Sequence, residues 1–157
     1  MTALDAALWP AARAGEALDA LAAASGLATR REGSAPAPLF GLVDDDAVDP
    51  AARAMGVEAQ SVQSAYAEVE RMLRGCGPAL LRIPGGGETR LLAVLGCRRR
   101  RLRVLDEEGT TRHVALAEVR EALCHPLEAP HAVTVDSLLD AAGVAPRARA
   151  RSRRLLL

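Results

Sequence analysis

The chain contains no lysine and no asparagine, and its only aromatic residues are Trp9, Phe40 and Tyr66. Each absence excludes chemistry. Without lysine there is no self-sufficient Walker A phosphate loop, no Schiff-base amine and no lysine general base. Without asparagine there is no N-glycosylation acceptor and no Cys-His-Asn triad. Three scattered aromatics make no stacking platform for single-stranded nucleic acid. Cysteine is scarce too: Cys76, Cys97 and Cys124 are an odd number without a CxxC pair. That is no disulfide framework, and it fits reduced thiols in a cytosolic compartment. No basic segment precedes an apolar run at the N-terminus, so no signal peptide is read. The longest strongly apolar stretch, residues 91–97, is too short to cross a bilayer.

What remains is an ordinary globular balance, 50% hydrophobic and 25% charged over 157 residues. That length gives one domain with a core that needs neither metal nor disulfide. The formal net charge is +0 but unevenly placed. All 20 acidic residues lie at or before Asp140, so residues 1–146 hold 15 arginines against 20 acids, a net of −5. The last eleven residues hold Arg147, Arg149, Arg151, Arg153 and Arg154, a net of +5. Such an end either meets something acidic or is a solvated tail.

Periodicity sets out the elements. Residues 4–27 carry Leu4, Leu8, Ala11, Ala14, Leu18, Leu21 and Ala22 near helical spacing, with Thr2 or Asp5 to cap, Pro10 in the first turn and Gly26 to stop. Residues 29–38 read as loop and 39–43 as an apolar run ending in Asp44, Asp45 and Asp46. That acidic triplet lacks the spaced oxygens and glycine of a calcium loop and reads as a turn or helix start. Residues 50–55 read as a short helix capped by Asp49. Residues 57–62 alternate weakly like a strand, and 64–73 read as a helix capped by Ser64 with Tyr66, Val69 and Leu73 on its apolar face. Four short apolar runs follow, at 78–83, 91–95, 102–106 and 112–116, with turns at 84–87, 98–101 and Gly109. Such regular spacing predicts an antiparallel sheet. A short helix over 116–123, breaks at His125-Pro126 and Ala129-Pro130, and a last helix over 133–142 complete an α+β chain.

Three motifs could carry chemistry. The run Gly85-Gly86-Gly87 precedes a strand, whereas a phosphate loop needs a helix N-terminus there, so a hairpin turn is the reading. Arg98 to Arg101 with Arg103 could form a nucleic-acid patch, but strand alternation splits it and no aromatic interleaves, so it reads as a solvated hairpin. Cys124-His125 suggests a thiolate–imidazole pair, yet adjacent helical residues do not face each other. His113 and His131 show no metal-ligand spacing with any cysteine.

The strand block carries a resemblance. Gly77-Pro78-Ala79-Leu80-Leu81, then Leu91-Leu92-Ala93-Val94-Leu95, then Val104-Leu105-Asp106 before Gly109, resembles the papain-like peptidase domain at the N-terminus of bacterial peptide-exporting ABC transporters. It is best over residues 50–125 and extends more weakly to the first helix, through Arg13-Ala14-Gly15-Glu16-Ala17-Leu18 up to Gly26. That family cleaves leader peptides after a double glycine. The resemblance implies a papain-like fold, N-terminal helices packed on an antiparallel sheet, over residues 1–130, with 131–157 as a helix and Arg-rich lead-in or tail. It also implies a broken site. Arg13, or its neighbour Ala14, stands at the cysteine's place, Leu91 at the histidine's, and Asp106 remains but is followed by Glu107 instead of proline. Ala7 lies near the place of the oxyanion glutamine. Arginine and leucine supply neither nucleophile nor base.

The implied protein is a non-cleaving, cytoplasmic peptidase-like domain of an exporter, without cofactor or metal. It would bind or position an exported peptide or protein, or serve a regulatory docking role, beside the exporter's membrane and ATPase domains. Its basic end would lie near the anionic inner face of the plasma membrane. As the chain stops at Leu157, it is expected to be either a cut-out domain or a free-standing peptide-binding adaptor. A thiol hydrolase using Cys76, Cys97 or Cys124 with a distant histidine is the other alternative. Nucleic acid is not an expected partner.

Overall fold

The computed structural model describes residues 2–27, 52–53, 56–85 and 88–156. The expected loop at 29–38, the apolar run at 39–43, the acidic triplet, Gly86 and Gly87, and all of the expected helix at 50–55 except helical Ala52 and Arg53, lie outside the described residues.

The axis of the fold is β3, Thr89–Arg98. One of its edges is lined by β2, Ala79–Pro84, antiparallel and in register Leu81↔Leu92. Its other edge holds two strands end to end. The short β1, Leu8–Pro10, lies opposite residues 90–92, and β4, Arg101–Leu105, lies opposite 93–98. The hand-over coincides with a bulge between Val94 and Gly96, the device that bends a strand. Outermost is β5, Thr111–Ala115, paired with β4.

Both faces of β3 are covered, which explains its unbroken apolar run. Leu92 and Val94 join Leu102, Val104 and Val114 on one face. There they pack under α2, Val69–Gly75, through Val69 and Leu73, and under α3, Leu116–Glu128, through Leu116, Val119 and Cys124. Leu91 and Ala93 turn to the opposite face and meet Trp9, Leu105 and the Ala14, Ala17 and Leu21 stripe of α1, Ala14–Ala24. The sheet is antiparallel and the class is α+β, as the patterning predicts.

Several expectations are corrected. The helix read over 4–27 begins only at Ala14, after a 3-10 turn at Asp5–Ala7, β1, and a second 3-10 turn at Ala11–Arg13. The cause is Pro10: the residue before a proline is pushed out of the helical region, so Trp9 is extended and pairs with Leu91. Pro10 closes a strand instead of opening a helix. The expected cap survives as a reciprocal pair, the Thr2 N–H donating to Asp5 Oδ2 at 2.8 Å and the Asp5 N–H to Thr2 Oγ1 at 3.0 Å. Gly26 does end α1, with the Leu27 N–H bonded back to the Ala22 carbonyl at 2.9 Å.

Residues 57–62 form no strand; they run as irregular chain. Ser64 caps nothing: a 3-10 turn at Tyr66–Glu68 follows Ala65, and α2 starts at Val69. The break expected at His125-Pro126 is absent, since α3 continues to Glu128 with Pro126 inside it. Proline in the last turn removes one backbone bond close to where the ladder ends anyway. Beyond a 3-10 turn at Ala129–His131, α4 covers Ala132–Ala141 and the Arg-rich end forms a helix of its own, α5, Pro146–Leu156. Arg149 bonds Asp140, and Arg153 reaches Asp136 at 3.5 Å, so α5 folds back on α4. No helix among the described residues is long and apolar enough to cross a membrane.

Candidate functional site

The three positions singled out in the sequence, Arg13, Leu91 and Asp106, come from distant parts of the chain and meet around one residue, Trp9. Arg13 lies just before α1, with its guanidinium carbon 5.3 Å from the centre of the Trp9 ring. Leu91, fully buried, is the cross-strand partner of Trp9. The Trp9 indole N–H donates to the Leu105 carbonyl at 2.8 Å, which anchors the ring to the end of β4 beside Asp106. The indole, Leu91, Ala14 and Ala17 belong to one apolar cluster. The gap between the start of α1 and the ends of β3 and β4 is therefore filled with hydrocarbon.

The polar groups at these positions are already engaged. Arg13 Nε and Nη2 bind Glu16 at 3.0 and 2.7 Å, and Nη1 binds Glu107. The bond to Glu16 first, and that to Glu107 with it, push the Arg13 pKa further up. Asp106 is 1% exposed and points into its own hairpin. Oδ1 accepts from the backbone N–H of Thr110 at 2.7 Å and of Glu108 at 3.1 Å, and Oδ2 from Arg112 Nε at 2.5 Å. Burial alone would push this carboxyl up; the bonds from Thr110, Arg112 and Glu108 outweigh it and hold the pKa below the ordinary aspartate value. Asp106 thus organises the turn between β4 and β5. Ala7 is buried in the cluster on the opposite face and offers no side-chain donor.

The thiols lie elsewhere. Cys124 faces inward from α3, fully buried, while His125 points outward, as helical geometry requires. Burial raises the Cys124 pKa, and burial followed by the nearby Cys97 raises that of Cys76 to about 11. No histidine hydrogen-bonds a thiol, and no group of three His, Cys, Asp or Glu side chains could hold a metal among the described residues. The arginine hairpin is solvated as expected: Arg101 and Arg103 are exposed while Leu102 and Val104 are buried, and Arg100 binds Glu70 at 3.0 Å.

Beside the Trp9 cluster opens a groove of about 910 Å³. Leu18, Leu21 and Ala22 of α1 form one wall, β2 residues 79–82 and Leu91 another, Met72 and Arg71 of α2 a third, and residues 57–64 run along it. β2 pairs only with β3, so its outer edge carries no strand among the described residues. No backbone hydrogen bond joins residues 57–64 to that edge. The groove therefore combines apolar walls with a sheet edge that no strand lines among the described residues. No local motif announces it, because its walls come from four separated segments. A second feature missed in the sequence is a half-buried polar cluster. The Tyr66 hydroxyl donates to Glu128 Oε1 at 2.5 Å and accepts from Arg120 at 2.9 Å, and Arg120 binds Glu128 at 2.9 Å. It ties the Tyr66–Glu68 turn, and with it the groove's far wall, to α3.

No protein-family model, curated protein or solved structure matches this chain.

Proposed function

We propose that this chain is a peptidase-like domain that has lost catalysis and keeps peptide binding, of the type that positions an exported peptide or protein for an ABC exporter. The observation that carries the reading is the groove along the outer edge of β2, which no strand lines among the described residues, next to positions where a cysteine and a histidine would be required and where Arg13 and Leu91 stand instead. An extended peptide laid against β2 would complete the sheet with main-chain hydrogen bonds and seat alternate side chains on Leu21, Leu80 and Met72. Inactivity follows from the same place. Arg13 is held by two glutamates, Leu91 has nothing to ionise, and the Asp106 carboxylate is committed to its own turn. A papain-like architecture fits the order of a helix over one face and an antiparallel sheet behind it. The cytoplasmic side of an exporter is the setting this reading implies.

The probe is a synthetic apolar peptide ending in Gly-Gly, added in excess. Amide hydrogen exchange over β2 should slow. Met72→Glu, which puts a charge in the apolar wall, should weaken calorimetric binding by about tenfold or more. Mass spectrometry of the mixture should find the peptide intact. Exchange unchanged in β2, or cleavage that disappears when one cysteine is replaced, would overturn the proposal.

A further inference from the structure

Cys76 and Cys97 are twenty-one residues apart in the chain and close enough in space for one thiol to feel the other's charge. The β2–β3 ladder sets Ala79 opposite Val94. Beyond that pair the ladder ends, with Gly77 still running beside Gly96. The backbones do approach there. A Cβ built on Gly77 would lie 2.6 Å from the Gly96 Cα and 2.9 Å from the Leu95 carbonyl oxygen. Gly77 has no Cβ, and that absence is what lets the two chains pass so closely. The next residues out, the two cysteines, are both half-buried and both pack against the same apolar cluster, so their side chains leave the sheet on the same face.

We infer that Cys76 and Cys97 form a redox-active dithiol site that closes to an intrachain disulfide between the end of α2 and the end of β3. The oxidant is a low-molecular-weight disulfide of the glutathione class. The Cys97 thiolate attacks it and releases one small thiol, giving a mixed disulfide on Cys97. Cys76, as thiolate, then attacks the Cys97 sulfur and releases the second small thiol. Two protein thiols are oxidised, the small disulfide is reduced by the same two electrons, and the two protons remain with the released thiols. Cys76 is the resolving partner because burial pushes its thiol up to about 11, leaving it the weaker first nucleophile at neutral pH. Cys124, fully buried in α3, stays outside the exchange. Cys76 also lines the groove, so the bond would fix one end of it; that consequence rests on the groove reading, whereas formation of the bond does not.

The native chain is incubated with oxidised glutathione, free thiols are blocked, and the protein is digested with trypsin without reduction. Cleavage at Arg74, Arg82, Arg90 and Arg98 leaves Cys76 in peptide 75–82 and Cys97 in peptide 91–98, with Cys124 in 121–147. The expected product is the linked pair 75–82 and 91–98, lighter than the two thiol peptides together by two hydrogens, with Cys124 blocked as a thiol. Cys97→Ser should lose the link, leaving Cys76 as a thiol or bound to glutathione. Mixed glutathione disulfides alone, links through Cys124, or no oxidation in the native chain would each overturn the inference.

Discussion

Asp106 was placed by resemblance at a catalytic position, and the structure gives it a different occupation. Its carboxylate is an acceptor for two backbone N–H groups and one guanidinium inside a tight turn. The sequence did hold that signal: an aspartate followed three residues later by Gly109 is the composition of a turn closed by its own side chain. Asp106→Ala should cost about 2 to 3 kcal/mol, since it removes three hydrogen bonds to a charged acceptor. The pH dependence has a definite sign. The folded pKa is depressed, so the contribution is fully present above an unfolded value of about 3.9. It is lost as pH falls through the lower folded value. Urea midpoints of the native chain and of Asp106→Ala, read by circular dichroism, should differ at pH 7 and draw together as pH falls below about 3.9. A gap unchanged in acid would show that packing, and not charge, makes the difference.

At the scale of elements, the four-strand block was legible because apolar runs of strand length alternate with turn residues, and β2 to β5 fall where that spacing puts them. Two stretches were misread for local reasons. Alanine and leucine at helical spacing hid β1, although Trp9-Pro10 forbids the helix there. Residues 57–62 alternate like a strand yet pair with no strand among the described residues, and alternation without pairing makes no sheet. The turn between β3 and β4 shows an element at odds with its own residues. Arg99 and Arg100 have φ of 50° and 62°, both in the left-handed region that a two-residue hairpin loop demands and that asparagine and glycine fill best. Replacing them as Arg99→Asn with Arg100→Gly should raise unfolding stability by about 1 to 2 kcal/mol, even after loss of the exposed Arg100–Glu70 pair. Thermal melts check it; a lower midpoint would mean the arginines hold the turn through contacts that outweigh backbone strain.

Over the whole molecule, the charge asymmetry seen in composition becomes a structural arrangement. The basic end is a helix that returns two arginines to acids of α4, Asp140 and Asp136. Val135 and Leu139 of α4 are buried, but they belong to neither of the two clusters that hold the sheet. Deleting residues 146–157 should therefore move the melting midpoint by no more than about 3 °C, the scale of surface ion pairs in a chain of this size. A drop of about 10 °C would make α5 part of the cooperative core. Composition foretold the sign of this segment but not its fold, because pairing between α5 and α4 depends on a turn that no charge count contains. The groove was equally illegible: no single segment of α1, α2, β2 or residues 57–64 looks like a binding site until the sheet brings them together.

The position of Trp9 has a practical consequence. It is the only indole in the chain, it lies 2% exposed between α1, β3 and the end of β4, and a guanidinium stands over its ring. The molecule thus carries its single indole fluorophore at the junction where its candidate site meets its core. Light emitted there reports on one location only. A change in emission on adding a peptide, or on oxidising the thiols, can be assigned to that junction without a label and without a second chromophore of its kind to deconvolute.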